Sequence, residues 1–206
     1  MDERVDLLSR RDARTAARLL ARAFVDDPVI AHYLAGSRRR RLGYPAFFRT
    51  NLHELMPLGA VYGLISSNGL AGVAAWMPPG SEPGAPDRHA RLNSLTVRAL
   101  YPRTGGALFE GFAGMAPLHP AEPHWYLAFV GIEPTLQGSG RGARLLAPVF
   151  ERADAEGHLC YLETPFPGTI PFYERLGFQT SAEAKPFTAS ASVWTMIRRP
   201  VGETRS

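Results

Sequence analysis

Three glycines at alternate positions, Gly138, Gly140 and Gly142, stand between an apolar strand pattern (Trp125 to Ile132) and an apolar helical pattern (Leu145, Leu146, Val149, Phe150, Ala153). Few arrangements restrict a chain more. Glycine lets the backbone approach a ligand closely, and the unpaired N–H groups of a helix start attract anions. Whatever surrounds this turn must bring a strand end and a helix start together around a negatively charged group.

The rest of the chain supplies the elements such a turn needs. Val5 to Leu8 reads as a short strand. Ser9 caps the helix that follows, with Asp12 three residues on as a shortened capping box, and Leu19, Leu20 and Phe24 mark its apolar side. Asp27-Pro28 starts another helix with Pro at its first position. A longer helix over residues 37–56 is expected to bend at Pro45. Residues 59–66 and 70–77 are apolar runs joined by Ser67-Asn68-Gly69, a hairpin signature. Pro78 to Pro86 is a loop, because four prolines deny it regular hydrogen bonding. Helical stretches over 88–101 and 106–115 follow, then a rigid connector, His119-Pro120-Ala121-Glu122-Pro123. From His124 the order is strand, glycine turn, helix, strand (158–163), helix (170–176), strand (178–183) and strand (191–197). Pro148 falls inside the main helix and implies a kink there. The pattern is a mixed α/β domain.

Composition sets the outer bounds. At 206 residues the chain is long enough for one domain with a real core, and 45% hydrophobic with 20% charged residues is ordinary for a soluble globular protein. No stretch approaches the roughly 20 apolar residues that span a bilayer. Met1-Asp2-Glu3-Arg4 lacks the apolar segment of a secretory signal. Cys160 is the single cysteine, sits among apolar residues and reads as core; a reducing, cytoplasmic setting fits. The charge of +4 is mild, with Lys185 the only lysine. Arg38 to Arg41 is the one concentrated basic run, and without interleaved aromatics it reads as a solvated helix start. Neither a nucleic-acid nor a membrane partner is expected, nor a metal.

Three phosphate-binding readings compete for Gly138 to Ala143. A P-loop needs Gly-Lys-Ser/Thr, and no lysine is present. A dinucleotide fingerprint fits the letters better: Gly138-x-Gly140-x-x-Ala143, with Glu163 twenty residues beyond Ala143 where a ribose-binding acid belongs. Its glycines should follow their strand at once, yet Glu133-Pro134-Thr135-Leu136-Gln137 intervene. Only about 40 residues follow Glu163, too few for most of a doubly wound sheet. The third reading explains the gap. Val-Gly-Ile-Glu-Pro-x-x-Gln-Gly-x-Gly-Arg-Gly (residues 130–142) resembles motif A of the GNAT-type N-acetyltransferases. Residues 171–178, Pro-Phe-Tyr-Glu-Arg-Leu-Gly-Phe, resemble the same family's motif B. Residues 124–127, 161–164, 171–178 and 193–196 look like the puromycin N-acetyltransferase branch, with Thr169 where that branch has Asn.

The resemblance implies a GNAT acyl-CoA N-acyltransferase fold: a mixed, mostly antiparallel sheet flanked by helices and splayed at the cofactor-binding strands. It implies a single domain over residues 1–206, with the strongest motifs in 124–199 and acceptor-side elements in 9–120. Acetyl-CoA would be held by Val130, Gly131 and Ile132 along the strand, and by Gln137, Gly138, Ser139, Gly140, Arg141, Gly142 and Ala143 at its pyrophosphate, with Thr169 and Phe172 nearby. Thr169 would cap the motif B helix, Pro171 would occupy its first turn and Gly177 its C-terminal cap. Tyr173 is the expected general acid at the coenzyme A sulfur. A backbone N–H of the strand would polarise the thioester carbonyl. Glu163 is the best carboxylate for a general base, with water as the other route; His124 and Tyr126 flank the same cleft and read as structural, and His119 carries little signal. The acceptor is expected to be a primary amine of a small molecule, an aminonucleoside-type antibiotic among the choices, transferred directly in a ternary complex. A protein or peptide acceptor, and a non-catalytic acyl-CoA-binding regulator, stay open. So does a monomer or a homodimer.

Overall fold

The computed structural model describes residues 3–81, 88–185 and 192–202. Seven strands form one sheet: β1 (Arg4–Leu7), β2 (Val61–Ser66), β3 (Gly69–Met77), β4 (His124–Ile132), β5 (Leu159–Thr164), β6 (Gln179–Ala184) and β7 (Val193–Arg198). Their order is β1-β2-β3-β4-β5-β7-β6, and every neighbouring pair is antiparallel except β4 with β5. Parallel neighbours need a long crossover, and α6 (Arg141–Glu156) provides it. This is the expected mixed, mostly antiparallel sheet.

Helices cover both faces. On one side α1 (Ala13–Ala23), α2 (Pro28–Tyr33), α3 (Ser37–Leu55), α4 (Arg88–Leu100) and α5 (Gly105–Ala113) enclose a core built on Leu20, Ile30, Phe47, Phe48, Val73, Ala75 and Phe129. On the other, α6 and α7 (Ile170–Glu174) cover Ala74, Trp76, Trp125, Leu127, Cys160 and Met196. Alternation along β3 sends Val73 and Ala75 to the first face and Ala74 and Trp76 to the second. Cys160 is fully buried, and burial pushes its thiol up to about 12, which suits core packing and not nucleophilic chemistry.

Most elements fall where the periodicity put them, and the exceptions have local causes. The helix after β1 begins at Ala13, not at Ser9: the Asp12 carboxylate accepts from both the N–H and the hydroxyl of Ser9 at 2.8 Å, so only that arm of the capping box forms. Asp27 caps α2 as expected, accepting from the N–H groups of Val29 and Ile30. Pro45 and Pro148 both lie inside continuous helices. Most of the Pro78 to Pro86 loop, and Ala191 at the expected start of the last strand, lie outside the described residues. A bidentate Asp154–Arg198 pair, both contacts 2.7 Å, ties α6 to β7.

One residue in β4 changes its whole pattern. Ala75 pairs with Phe129 and Trp76 with Leu127, so Ala128 is an extra residue, a β-bulge. Before it, Trp125 and Leu127 face α6; after it, Val130 and Ile132 do, while Phe129 faces α1. Gly131 also turns toward α1, where an added Cβ would meet Ala23 Cβ at 2.8 Å and Leu20 Cδ2 at 3.0 Å. Gly131 is therefore a packing glycine on its α1 side. Replacing Gly131 with Val should overpack this seam and cost about 1–3 kcal/mol, seen as a lower urea midpoint at an unchanged m-value.

Candidate active site

A gap opens in the middle of the sheet. The β4–β5 ladder runs only from His124↔Leu159 to Leu127↔Leu162, and beyond it Glu163 and Thr164 pair with β7 alone. From the Ala128 bulge onward, β4 has β3 on one side and, among the described residues, no strand on the other. The backbone N–H and C=O groups around Val130 and Ile132 thus border an open slot, the geometry in which an extended ligand can pair as an extra strand.

The slot leads to the glycine turn. Glu133 donates its N–H to Ala71 O at 2.9 Å, and its carboxylate takes both Nε and Nη2 of Arg22, which fastens the strand end to α1. Pro134–Leu136 makes one 3-10 turn, and Gln137 Nε2 reaches back to Ile132 O at 3.2 Å. The five residues between strand and glycines are this turn. Gly138 and Gly140 have φ of +73° and +78°, a backbone that favours glycine. Gly140 is the N-cap of α6, with no side-chain cap on the helix's first N–H groups. Gly142 serves a different need, since a Cβ there would lie 3.0 Å from Phe172. Phe172 therefore braces the start of α6.

Two side chains of the loop are already engaged. Arg141 pairs with Glu3 at 2.7 Å and donates to Ser139 Oγ, while Ser139 donates to Leu136 O. Arg144, a turn further along, also grips Glu3, at 2.8 Å. What the turn offers an anion is its backbone. Thr169 departs from expectation too: its hydroxyl donates to Phe166 O and accepts from Thr164 at 2.8 Å each, and it makes no cap for α7. Pro171 occupies the first turn of α7 and Gly177 has φ +88°, both as expected. Tyr173 packs between Phe172 and Phe178, with ring centroids 5.0 and 5.8 Å away. Burial holds its phenol well above the usual tyrosine range, so it stays protonated at neutral pH.

On the α1 face the gap meets a partly open pocket. Its apolar walls are Phe24, Val29, Ile30, Met115, Phe129, Pro165 and Val193; its polar groups are Asp27, Tyr126 and Glu163, and it reaches the Ala128 bulge. Glu163 is the hub. His119 Nε2 lies 3.3 Å from Glu163 Oε1, and His119 Nδ1 lies 3.1 Å from His124 Nε2. Burial, then the adjacent Glu163 charge, raise the phenols of Tyr126 and Tyr161. Strand alternation places Tyr126 two residues from His124 and Tyr161 two from Glu163, so each of these same-face pairs was legible in sequence. His119 was not: it sits in the connector, where no periodicity applies. Asp27 was legible only as a cap. It is 3% exposed, and burial raises its pKa from 3.8 to about 6.

Residues 101–178 match the family model described as the Acetyltransferase (GNAT) family. The uncharacterized N-acetyltransferase C550.08 of Schizosaccharomyces pombe is 28% identical over 95% of this chain and 83% of its own length. The N-alpha-acetyltransferase RimI of Mycobacterium tuberculosis is 33% identical over 47% of this chain and 62% of its own. Among solved structures, the histone acetyltransferase HPA2 and related acetyltransferase from Corynebacterium glutamicum shares the fold at a TM-score of 0.74 and 23% identity, each chain covered in full. The match across the slot and turn and the near full-length relative make this chain similar to the GNAT acetyltransferases, and its fold is the GNAT fold.

Proposed function

We propose that this chain is an N-acetyltransferase that moves acetyl from acetyl-CoA to a primary amine of a small molecule, directly in a ternary complex. The observation that carries the reading is the position of Glu163, where the open edge of β4 meets an apolar pocket with its own buried carboxylate. The uncapped start of α6 and the left-handed backbone at Gly138 and Gly140 suit a pyrophosphate, and the open β4 edge suits a pantetheine arm. Bound there, acetyl-CoA supplies an activated acetyl thioester.

The protein's own groups divide the remaining work. The N–H groups of Gln137 to Ala143 bind phosphate, and the backbone of Val130 and Ile132 aligns the donor. Phe172 holds Gly142 and with it the start of α6. An amine near pKa 10 is mostly ammonium at neutral pH and must lose a proton before it can attack. Glu163 takes that proton. Tyr173, kept neutral by burial, returns one to the leaving sulfur. The unpaired residue at the bulge leaves a backbone N–H free of the ladder beside this point, suited to polarising a carbonyl. Asp27 attracts the ammonium while the apolar walls enclose the rest of the acceptor. Apolar walls around a buried carboxylate favour a small amine over a chain end. A panel of puromycin, simple alkylamines and peptide N-termini, followed by thiol release from acetyl-CoA, tests the assignment. Coenzyme A that fails to raise the melting temperature would overturn it.

Two substitutions probe the roles. Tyr173→Phe should lower kcat by about tenfold or more while coenzyme A affinity, read by calorimetry, changes little; an unchanged kcat removes Tyr173 as the acid. Asp27→Asn keeps the α2 cap, because Asn caps as well as Asp. The raised pKa of Asp27 means the folded protein binds more protons than the unfolded chain between about pH 4 and 6. Stability tied to this group is thus complete below pH 4 and lost as pH rises through 6. Asp27→Asn should therefore stabilise the fold at pH 7 by on the order of 2 kcal/mol, with little effect near pH 3.5, and raise KM for the amine. Urea unfolding at both pH values checks the first part.

A further inference from the structure

The contacts that leave Glu163 lead outward in a line. His119 Nε2 is 3.3 Å from Glu163 Oε1, His119 Nδ1 is 3.1 Å from His124 Nε2, and His124 Nδ1 is 2.8 Å from the carbonyl of Glu122. A carbonyl only accepts, so His124 Nδ1 carries the hydrogen of the last contact. Neutral His124 then has a bare Nε2, and His119 Nδ1 must supply the hydrogen between the rings. His119 is left with Nε2 facing a carboxylate. The two stand 3.3 Å apart without hydrogen-bond geometry, so the space between carboxylate and imidazole is where an arriving proton can be taken up.

Resting on the acetyltransferase reading, we propose that Glu163, His119 and His124 form a proton path that carries the proton lost by the acceptor amine to solvent. Acetylating an ammonium takes two protons from nitrogen; one ends on the leaving sulfur and one must leave the protein. The second passes to the Glu163–His119 pair. His119 gives its Nδ1 proton to Nε2 of His124, and His124, then protonated on both nitrogens, gives one to water. The pair ends with the one proton it began with, and no electrons are exchanged.

The surroundings favour this direction. The titratable groups facing the line are Tyr126 on β4, Tyr161 on β5, Glu122 in the connector and Asp27 across the pocket. Both phenols are held neutral well above neutral pH, so the imidazoles are the groups suited to take up and release a proton near neutral pH. Half-burial lowers the pKa of His124, with the neighbouring His119 adding to the effect. A proton reaching His124 is therefore released readily. An edge-on contact of His119 with Tyr126 and a tilted one with Tyr161, ring centroids 4.5 and 4.6 Å apart, hold the bridging imidazole in place.

Histidine side-chain 15N NMR tests the path without turnover. Neutral His124 should carry its hydrogen on Nδ1, and Glu163→Gln should move the titrations of both His119 and His124; a His124 titration untouched by Glu163→Gln overturns the path. In thiol-release assays with puromycin and alkylamines, His124→Asn should lower kcat near pH 7 by about tenfold with KM for acetyl-CoA unchanged. The deficit should shrink as pH rises toward 10, where the amine sheds its proton in solution, and added imidazole should restore part of the rate. A wild-type kcat and pH profile in His124→Asn overturns the path; His119→Gln repeats the test if that variant does not fold. Absence of thiol release by the wild-type protein with every amine would instead sink the acetyltransferase reading, and the linked titrations would still decide whether the three groups share protons.

Discussion

Everything in the site depends on two strands that stop pairing. β4 and β5 are held together over four residue pairs and then separate, each kept in the sheet by its outer neighbour. A sheet interior normally satisfies its backbone on both sides, so an unpaired edge at the centre is costly unless something occupies it. The Ala128 bulge sets where the separation begins and reverses which β4 side chains face α6. One extra residue thus produces an open backbone edge, puts Val130 and Ile132 over the α6 core, and turns Gly131 against α1.

The charges around this gap follow the same geometry. Acids and arginines far apart in sequence meet at the strand end: Arg22 with Glu133, and Arg141 and Arg144 with Glu3. The Arg22 and Arg144 ends lie open to solvent and add little stability, whereas Glu3 itself is nearly buried. The effect of these pairs is on placement, because they hold the glycine turn to α1 and to the segment before β1. The two pocket carboxylates differ. Asp27 is nearly dry, an environment that costs stability, while Glu163 borders two phenols and an imidazole.

Much of the fold was legible because it rests on local pattern. The hairpin at Ser67-Asn68-Gly69, the cap at Asp27 and the Pro-Phe-Tyr helix all sit close to their expected bounds. Local reading failed where a polar side chain had two possible partners. Asp12 binds Ser9 and the helix starts a turn later; Thr169 binds Phe166 and leaves α7 uncapped. It also treated the glycines as one device. Gly138 and Gly140 are needed for their φ values, whereas Gly131 and Gly142 are needed for what packs against them.

By itself the sequence determined the order of elements, the five-residue turn between strand and glycines, and the same-face pairs His124/Tyr126 and Tyr161/Glu163, since each follows from spacing along one segment. Only the tertiary structure decided that His119 from a connector reaches Glu163, that Asp27 closes a pocket as well as capping a helix, and that Glu3 occupies Arg141 and Arg144. Those contacts join residues whose meeting depends on how helices and strands pack, and no local periodicity encodes that packing.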